Sequence, residues 1–310
     1  MKLTRPFKVF TALTAFILAT IVMAGCSNND GSPQQADPNF VPKNKSKAFS
    51  QDNAPLVLID EAHYNFHTAT GRYKPFVQVL ESAGYKVKAN DSLFSSESLK
   101  GVDVLVVSNP LNVKNHWNWT PPFLPAFTTE EVAAVKQWVA EGGSLLLIAD
   151  HTPFPKAAEK LAAAFGFKLH DGHVNETVFK SDGKGISKHE ITEVTDLYPA
   201  ITQVTSLGGS AFEIPETAQS LLTFTKPTKY LMPEKPFKIN ADTKRLQAQG
   251  WSQGAVMESG KGRVAVFGEA AMFTSQMYVP TGEILGLTSK GAEQNERFLL
   301  NVMLWLSNRQ

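Results

Sequence analysis

The sequence has 310 residues, of which 43% are hydrophobic and 19% are charged, a composition typical of a globular protein and not of a disordered or collagen-like chain. Its 30 basic and 29 acidic side chains nearly balance and form no block of like charge, so nucleic acid is not predicted as a partner. The first 25 residues contain three charges, all basic, and without them the chain has 27 basic and 29 acidic groups.

The N-terminus is predicted to be a targeting segment. Residues 9–24 form an apolar run after the three cations, which is short for a membrane-spanning helix and typical of a secretory signal. Residues 23–26, Met-Ala-Gly-Cys, resemble the lipobox of bacterial lipoproteins, whose cysteine is acylated and becomes the new N-terminus. The resemblance implies a signal peptide over residues 1–25 and attachment to the lipid bilayer through acylated Cys26; the alternative is an ordinary buried thiol. Ser27, in place of aspartate, favours the outer membrane and a location facing the periplasm.

Residues 26–53 are predicted to be the lipidated cysteine and a flexible tether. Asparagine, serine, proline, glutamine, lysine and aspartate dominate this stretch, which has few apolar side chains for a core. The folded domain is therefore expected over residues 54–310, a length that fits one α/β domain with an insertion.

In this domain, short apolar runs alternate with amphipathic segments. The runs are typical of strands buried on both faces, and the segments have apolar residues at helical spacing. The predicted strands are residues 56–59, 85–87, 104–107, 144–149 and 263–267, and the predicted helices are residues 73–83, 128–139, 155–165 and 292–306. This alternation predicts a doubly wound, mostly parallel, flavodoxin-like α/β sheet with right-handed crossovers.

The alternation is interrupted between about residues 168 and 253. Turn signals rich in glycine and proline separate short β-like pieces there, which predicts a β-rich, antiparallel insertion. Residues 255–258 and 263–267 then form a predicted hairpin around a Ser-Gly-Lys-Gly turn.

Polar residues directly follow four of the predicted core strands. Ligands of doubly wound sheets bind at the carboxyl ends of the strands, near the switch in strand order, so these residues are expected to meet there. They are Asp60, His63 and His67 after the first strand, Asn109 after residues 104–107, Asp150 and His151 after residues 144–149, and Glu269 after residues 263–267. Each also has a structural alternative, because aspartate caps turns, histidine bonds to loop backbone and glutamate begins helices.

Carboxylates and imidazoles together suit zinc or a similar divalent ion. The expected metal ligands are Asp60, His63, His67 and His151, and the expected catalytic residues are Glu269 and Asp150. One of the two carboxylates would act as general base on bound water. On this hypothesis a His63→Ala variant loses the metal with little loss of stability, because a loop imidazole makes few core contacts.

An aromatic loop follows the strand at residues 104–107. Residues 110–127 combine two tryptophans with phenylalanine, histidine and stiffening prolines. Asn109, Trp117 and Trp119 are predicted to bind a ligand, since indole faces stack on sugar rings and other flat groups. The alternatives are a lid that excludes water and a local core in which both indoles are buried.

Three stretches also carry a family resemblance. Residues 60–63, 142–151 and 267–273 resemble the class I glutamine amidotransferase-like superfamily, and within it the branch that includes gliding-motility-associated transport components and domains of unknown function. The resemblance implies an amidotransferase-like α/β fold over about two thirds of the mature chain. Glutaminases of that superfamily have a nucleophilic cysteine after the strand that here ends at Ala149, where this chain has Asp150, so glutamine hydrolysis is not expected.

Other catalytic motifs receive no support. Ser210 lacks the second glycine of the Gly-x-Ser-x-Gly elbow and falls in the turn-rich insertion, so a serine hydrolase is not predicted. Residues 260–262, Gly-Lys-Gly, form a hairpin turn without the Ser or Thr of a phosphate loop, and no nucleotide cofactor is predicted.

Two functions remain open from the sequence. The first is an envelope-anchored, metal-assisted hydrolase that acts on an envelope glycan, a peptide or a small polar substrate. The second is a non-catalytic lipoprotein that uses the same edge of the sheet to bind a ligand or a protein partner of the envelope.

Overall fold

The computed structural model describes residues 33–194 and 199–307, so the predictions for the signal peptide and Cys26 lie outside the described residues. The strands, in chain order, are β1 Gln34–Ala36, β2 Leu56–Asp60, β3 Lys86–Asn90, β4 Val104–Ser108, β5 Ser144–Ile148, β6 Lys168–Leu169, β7 Thr177–Lys180, β8 Gln203–Ser206, β9 Phe212–Glu213, β10 Gln219–Thr223, β11 Lys229–Met232, β12 Lys244–Gln247, β13 Ser252–Ser259, β14 Gly262–Phe267, β15 Ser275–Tyr278 and β16 Glu283–Gly286. The α-helices are α1 Lys74–Ser82, α2 Thr129–Ala140, α3 Phe154–Ala163 and α4 Asn295–Ser307. Among these residues, no helix is long and apolar enough to cross a bilayer.

A central sheet of nine strands organises the α/β domain. Its path is β3-β2-β4-β5-β14-β13-β9-β6, and β10 also pairs with β13. The strands from β3 to β14 are parallel, and in chain order they follow the pattern 2-1-3-4-5 of flavodoxin-like sheets. The remaining pairs are antiparallel, so the sheet is mixed where a mostly parallel one was predicted. The switch in strand order lies between β2 and β4.

Both faces of the sheet are covered by helices. Every residue of β4 is buried, and its side chains alternate between two cores. Val104 and Val106 pack in the core formed with α1 and α4, whereas Leu105 and Val107 pack in the core formed with α2 and α3. This confirms that the apolar run at residues 104–107 is a strand buried on both sides.

Helix α2 begins with a capping box, which the Thr-x-x-Glu spacing of residues 128–131 predicts. The Thr128 hydroxyl accepts a hydrogen bond from the Glu131 amide at 3.2 Å, and Glu131 Oε2 accepts one from the Thr128 amide at 3.0 Å. The other carboxylate oxygen, Glu131 Oε1, contacts the His63 ring outside the helix.

The chain between α3 and β13 is rich in short strands. In its described residues, β6, β9 and β10 extend the central sheet through β13. The other four strands form the hairpins β7–β8 and β11–β12. The insertion is therefore partly continuous with the central sheet.

The segment predicted as a flexible tether packs on the domain from residue 34 onward. Strand β1 pairs with β15 in a three-stranded sheet, and the Phe40 ring is buried in the core beside α1 and α4. The Lys43 and Asn44 amides donate hydrogen bonds of 3.0 and 2.7 Å to the Glu296 carboxylate of α4. Hydrogen bonds to backbone amides hold this polar segment, which has little apolar surface to bury.

Replacing Glu296 with alanine is expected to loosen this segment. Two backbone amides would lose a charged acceptor, which stabilises by about 1–3 kcal/mol per group, so amide exchange at Lys43 and Asn44 should become at least tenfold faster. Hydrogen exchange followed by mass spectrometry measures the effect, with the exposed Glu283→Ala as control. Unchanged exchange at both amides would show that the segment is held by other contacts.

Candidate functional site

Asp60, the last residue of β2, belongs to a buried charged cluster at the carboxyl edge of the sheet. The His63 ring lies between two carboxylates: Nδ1 is 2.9 Å from Asp60 Oδ2 and Nε2 is 2.7 Å from Glu131 Oε1. Asn65 donates a further hydrogen bond to Asp60, and its own carbonyl oxygen accepts from the Ser108 amide at the end of β4. The cluster Asp60–His63–Glu131 thus joins β2 to the start of α2.

The pKa values of His63 and Glu131 are both shifted toward their charged forms. Burial disfavours the His63 imidazolium, but the hydrogen bonds and charges of Asp60 and Glu131 outweigh it and raise the pKa of His63 above 6.5. Burial likewise opposes ionisation of Glu131, yet its hydrogen bonds with Thr128 and His63 lower the pKa of the carboxyl below 4.5. The cluster is therefore an internal ion pair shared by three side chains.

The expected metal centre is not formed by the described residues. Within them, no group of three His, Cys, Asp or Glu side chains is placed to hold a metal ion. Both ring nitrogens of His63 already contact carboxylates, and those of His67 lie 3.3 and 3.5 Å from the side-chain amides of Asn109 and Gln276. Asp60, His63 and His67 therefore serve as hydrogen-bonding partners of neighbouring side chains.

Asn109 joins the ends of β4 and β5 to the loop that follows β2. Its left-handed backbone (φ 58°) turns the chain after β4, a conformation that asparagine tolerates better than most residues. Its side-chain oxygen accepts from the Asp150 amide at 2.8 Å, and its amide group faces His67. Burial first, and then the charges of Arg72 and His151, holds the pKa of His67 well below its usual value, so this ring is neutral. Asn109 is thus a structural link, buried beneath the edge of the sheet.

Asp150 and Glu269 form a carboxyl pair where β5 and β14 end. Glu269 is 2% exposed, and its oxygens accept hydrogen bonds from the Ala271 and Met272 amides at 2.6 and 2.8 Å. Burial, reinforced by the negative charge of Asp150, raises the pKa of Glu269 to about 8. The structure therefore brings together the two residues that were predicted to be catalytic, with one of them protonated at neutral pH.

A glycine allows the insertion to cover Glu269. Gly209 has a φ of 81°, and a Cβ there would lie 2.1 Å from the Gly268 carbonyl oxygen and 2.8 Å from Glu269 Cβ. Only glycine permits this approach, which separates Glu269 from solvent.

His151 is the predicted residue that the structure leaves most available to a ligand. Nδ1 lies 2.6 Å from the Thr152 carbonyl oxygen and must donate to it, so the lone pair is on Nε2. The half-buried ring is bordered by aromatic rings, with centroids 4.5 Å away in Phe237, 5.3 Å in Phe154 and 5.9 Å in Trp119. We call His151 and these three neighbours, with Asp150 and His173, the His151 site.

His173 adds a second imidazole to this site. It lies on the insertion, and its ring centroid is 6.1 Å from that of Phe237. Burial and the neighbouring His151 lower the pKa of His173, while Asp150 opposes that change. Three titratable side chains from two parts of the chain therefore face one another.

The two predicted tryptophans have different environments. Trp119 packs against Phe154 at 5.2 Å and borders the His151 site. Trp117 is 79% exposed and stacks on His116, whose ring also contacts Tyr64. Trp119 is thus part of the site, whereas Trp117 belongs to a separate exposed group of rings.

Sequence reasoning missed Glu131, His173 and Phe237. Glu131 was interpreted only as a capping residue, although a cap uses one carboxylate oxygen and leaves the other free. His173 and Phe237 lie in the insertion, where no periodic pattern indicates which residues return to the sheet edge. A histidine between two short β-like pieces is only a weak indication of a site residue, because the tertiary fold decides whether it reaches the sheet edge.

Comparisons with known proteins support the α/β fold. No protein-family model matches the chain, and no curated protein matches it. Among solved structures, the mmIFT52 N-terminal domain is similar, with a TM-score of 0.58 and 16% identity over 81% of this chain and 97% of that domain. The cytoplasmic protein STM1381 from Salmonella typhimurium LT2 has a TM-score of 0.48 and 15% identity, with 82% and 100% covered. A ThuA-like protein from Bacteroides uniformis has a TM-score of 0.41 and 12% identity, with 87% and 95% covered.

Proposed function

We propose that this chain is a bacterial envelope lipoprotein, anchored by acylated Cys26 to the outer membrane and facing the periplasm. Its domain has a glutamine amidotransferase-like fold and binds a glycan, a peptide or another polar molecule at the His151 site. The order of the five parallel strands supports the fold. The observation that carries the binding function is the half-buried His151, which presents Nε2 between aromatic rings.

The chemistry of the His151 site suits binding. Ligand sites commonly combine apolar and aromatic walls with a few fixed polar groups. Trp119, Phe154 and Phe237 supply the walls, while the hydrogen bond to the Thr152 carbonyl fixes the acceptor nitrogen of His151. Asp150 and His173 add one carboxylate and one neutral imidazole. Such a set recognises hydroxyl and amide groups on a flat molecule.

The proposal predicts that two substitutions weaken binding by at least about fivefold. Calorimetric titration with soluble chitin oligosaccharides and with muropeptides provides the measurement. His151→Ala removes the acceptor and Trp119→Ala removes a wall, each with an expected loss of about 1–3 kcal/mol. His170→Ala removes an imidazole that pairs with Glu213 and stacks on Trp251, and it should leave the affinity unchanged. Equal affinities for His151→Ala and the parent, or no binding of any probe, would count against the proposal.

A hydrolase is the second candidate function. The observation in its favour is the carboxyl pair, in which the pKa of the covered Glu269 is raised to about 8 beside Asp150 of the His151 site, since a proton held by such a pair can serve general acid catalysis. Mass spectrometry of the incubated probes detects cleavage. If cleavage occurs and disappears in Glu269→Gln while binding persists, the hydrolase replaces the binding protein as the assigned function.

A further inference from the structure

The β11–β12 hairpin concentrates positive charge. The basic hairpin, residues 226–247, comprises these strands, the residues leading into them and the loop 233–243. It contains six basic and two acidic side chains, a net charge of +4 in a chain whose total is +1. All eight are exposed: Lys226, Lys229, Glu234, Lys235, Lys238, Asp242, Lys244 and Arg245.

The tip of the basic hairpin is apolar. Phe237 is 61% exposed and Ile239 is 48% exposed. Lys235 lies two residues before Phe237, and Lys238 lies between Phe237 and Ile239. One side of the Phe237 ring lies on His151, and the rest faces outward. A bilayer with anionic headgroups accommodates this combination of exposed apolar side chains flanked by cations.

The backbone of residues 240–243, directly after the tip, is already hydrogen-bonded within the protein. The Arg245 guanidinium donates to the carbonyl oxygens of Asn240, Ala241 and Thr243 at 2.6–3.1 Å. The Thr243 hydroxyl accepts from the Asn240 amide at 2.9 Å. Because these three carbonyls already have donors within the protein, this part of the loop can enter a headgroup layer without leaving them unpaired.

The hairpin and the strand nearest the proposed anchor lie at the same edge of the central sheet. Phe237 reaches the carboxyl edge at His151. Strand β1 pairs with β15, whose Gln276 contacts His67 at that edge. Only eight residues lead from Cys26 to Gln34, so the chain spans at most about 28 Å between them. An acylated Cys26 would therefore keep this edge close to the membrane.

We infer that the basic hairpin binds an anionic lipid bilayer, with Phe237 and Ile239 in the headgroup layer and the lysines on lipid phosphates. That this edge lies close to the membrane rests on the proposed anchoring through Cys26. The positive charge, the exposed apolar tip and its hydrogen bonds are independent of that proposal. The hairpin is a second membrane contact, which orients the domain with its His151 site toward the bilayer.

A site-specific fluorescence experiment tests this inference. The full chain, purified from a bacterium that processes lipoproteins, is reconstituted in vesicles of phosphatidylcholine with or without phosphatidylglycerol. Because Cys26 is the only cysteine, Ile239→Cys provides a single reactive thiol for a fluorophore when Cys26 is acylated. Nitroxide lipids should quench this label in vesicles that contain phosphatidylglycerol. Lys235→Gln with Lys238→Gln should lower the quenched-to-unquenched ratio about thirtyfold.

The experiment includes a control position for the label and a control pair of lysine substitutions. A label at Lys261→Cys, on the turn at the opposite edge of the sheet, and the pair Lys86→Gln with Lys88→Gln should have no effect of this kind. An unquenched label at position 239, or quenching that is equal without phosphatidylglycerol, overturns the inference. A label shielded from aqueous iodide but not quenched by lipid would indicate an acidic protein partner and would also overturn it.

The proposed anchoring through Cys26 is tested by a separate measurement. If the parent chain, with no added cysteine, reacts with a maleimide, then Cys26 is not acylated and anchoring is contradicted. The hairpin is then tested in the Cys26→Ser background by flotation and quenching. Binding that depends on phosphatidylglycerol would support the inference without the anchor, and its absence would overturn it.

Discussion

Replacing His63 with alanine is expected to lower the free energy of unfolding by about 3–5 kcal/mol. The substitution leaves the buried carboxylates of Asp60 and Glu131 without the cation between them. It also removes ring contacts with Phe94 and Phe127, whose centroids are each 4.6 Å away. This result would differ from the sequence-based expectation that His63 could be removed with little loss of stability.

Denaturant unfolding at several pH values measures this loss. Because the pKa of His63 is raised in the folded state, its contribution is fully present below about pH 6.5 and is lost as the pH rises through the folded value. The difference between parent and variant should therefore shrink in alkaline buffer. Neutralising both acids in the variant, with Asp60→Asn and Glu131→Gln, should restore part of the stability, because no buried charge is then unpaired. A loss below 1 kcal/mol at pH 6 would mean that the cluster is not charged.

Replacing Glu269 with glutamine is expected to flatten the dependence of stability on pH. The pKa of this carboxyl is about 8 in the folded protein against 4.5 in the unfolded chain, so the folded state holds an extra proton between these values. The stability that this proton contributes is therefore fully present below about pH 4.5, falls as the pH rises towards 8, and levels off above the folded-state pKa. At about 1.4 kcal/mol per pH unit, the shift corresponds to a loss of about 3–5 kcal/mol that the variant avoids.

The comparison is made between pH 5 and pH 9 for each protein, a range that spans most of the interval between the two pKa values. Glutamine preserves the shape of the side chain but presents one amide group to the backbone amides of Ala271 and Met272, which lowers stability at every pH. The change between the two pH values cancels that constant cost. The exposed Glu283→Gln should behave like the parent. Equal pH dependence in the Glu269→Gln variant would show that Glu269 ionises normally.

Most core elements were predictable because local patterns determine them. Apolar runs such as residues 104–107 are long enough for a strand and too short for a helix. The box formed by Thr128 and Glu131 specifies a helix start with two hydrogen bonds between near neighbours. The prediction that strand ends share one edge followed from topology, and Asn109, Asp150 and Glu269 do meet there.

The partners of the site residues could not be predicted. His63 has carboxylate neighbours 3 and 68 positions away, and a sequence gives no distance between the end of β2 and the start of α2. Metal ligands and ion-pair partners are the same residue types, so composition did not distinguish the two roles. Residues 34–53 were interpreted as a tether because apolar content measures burial alone, whereas this segment is held mainly by hydrogen bonds to distant groups.

The pairing of β1 with β15 has a consequence for how the domain is assembled. The first described strand pairs with residues about 240 positions further along the chain. During synthesis, β1 must therefore remain unpaired until residues 275–278 have emerged. Closing so long a loop makes its docking a late and comparatively slow event, during which the edge of β15 is open to other strands.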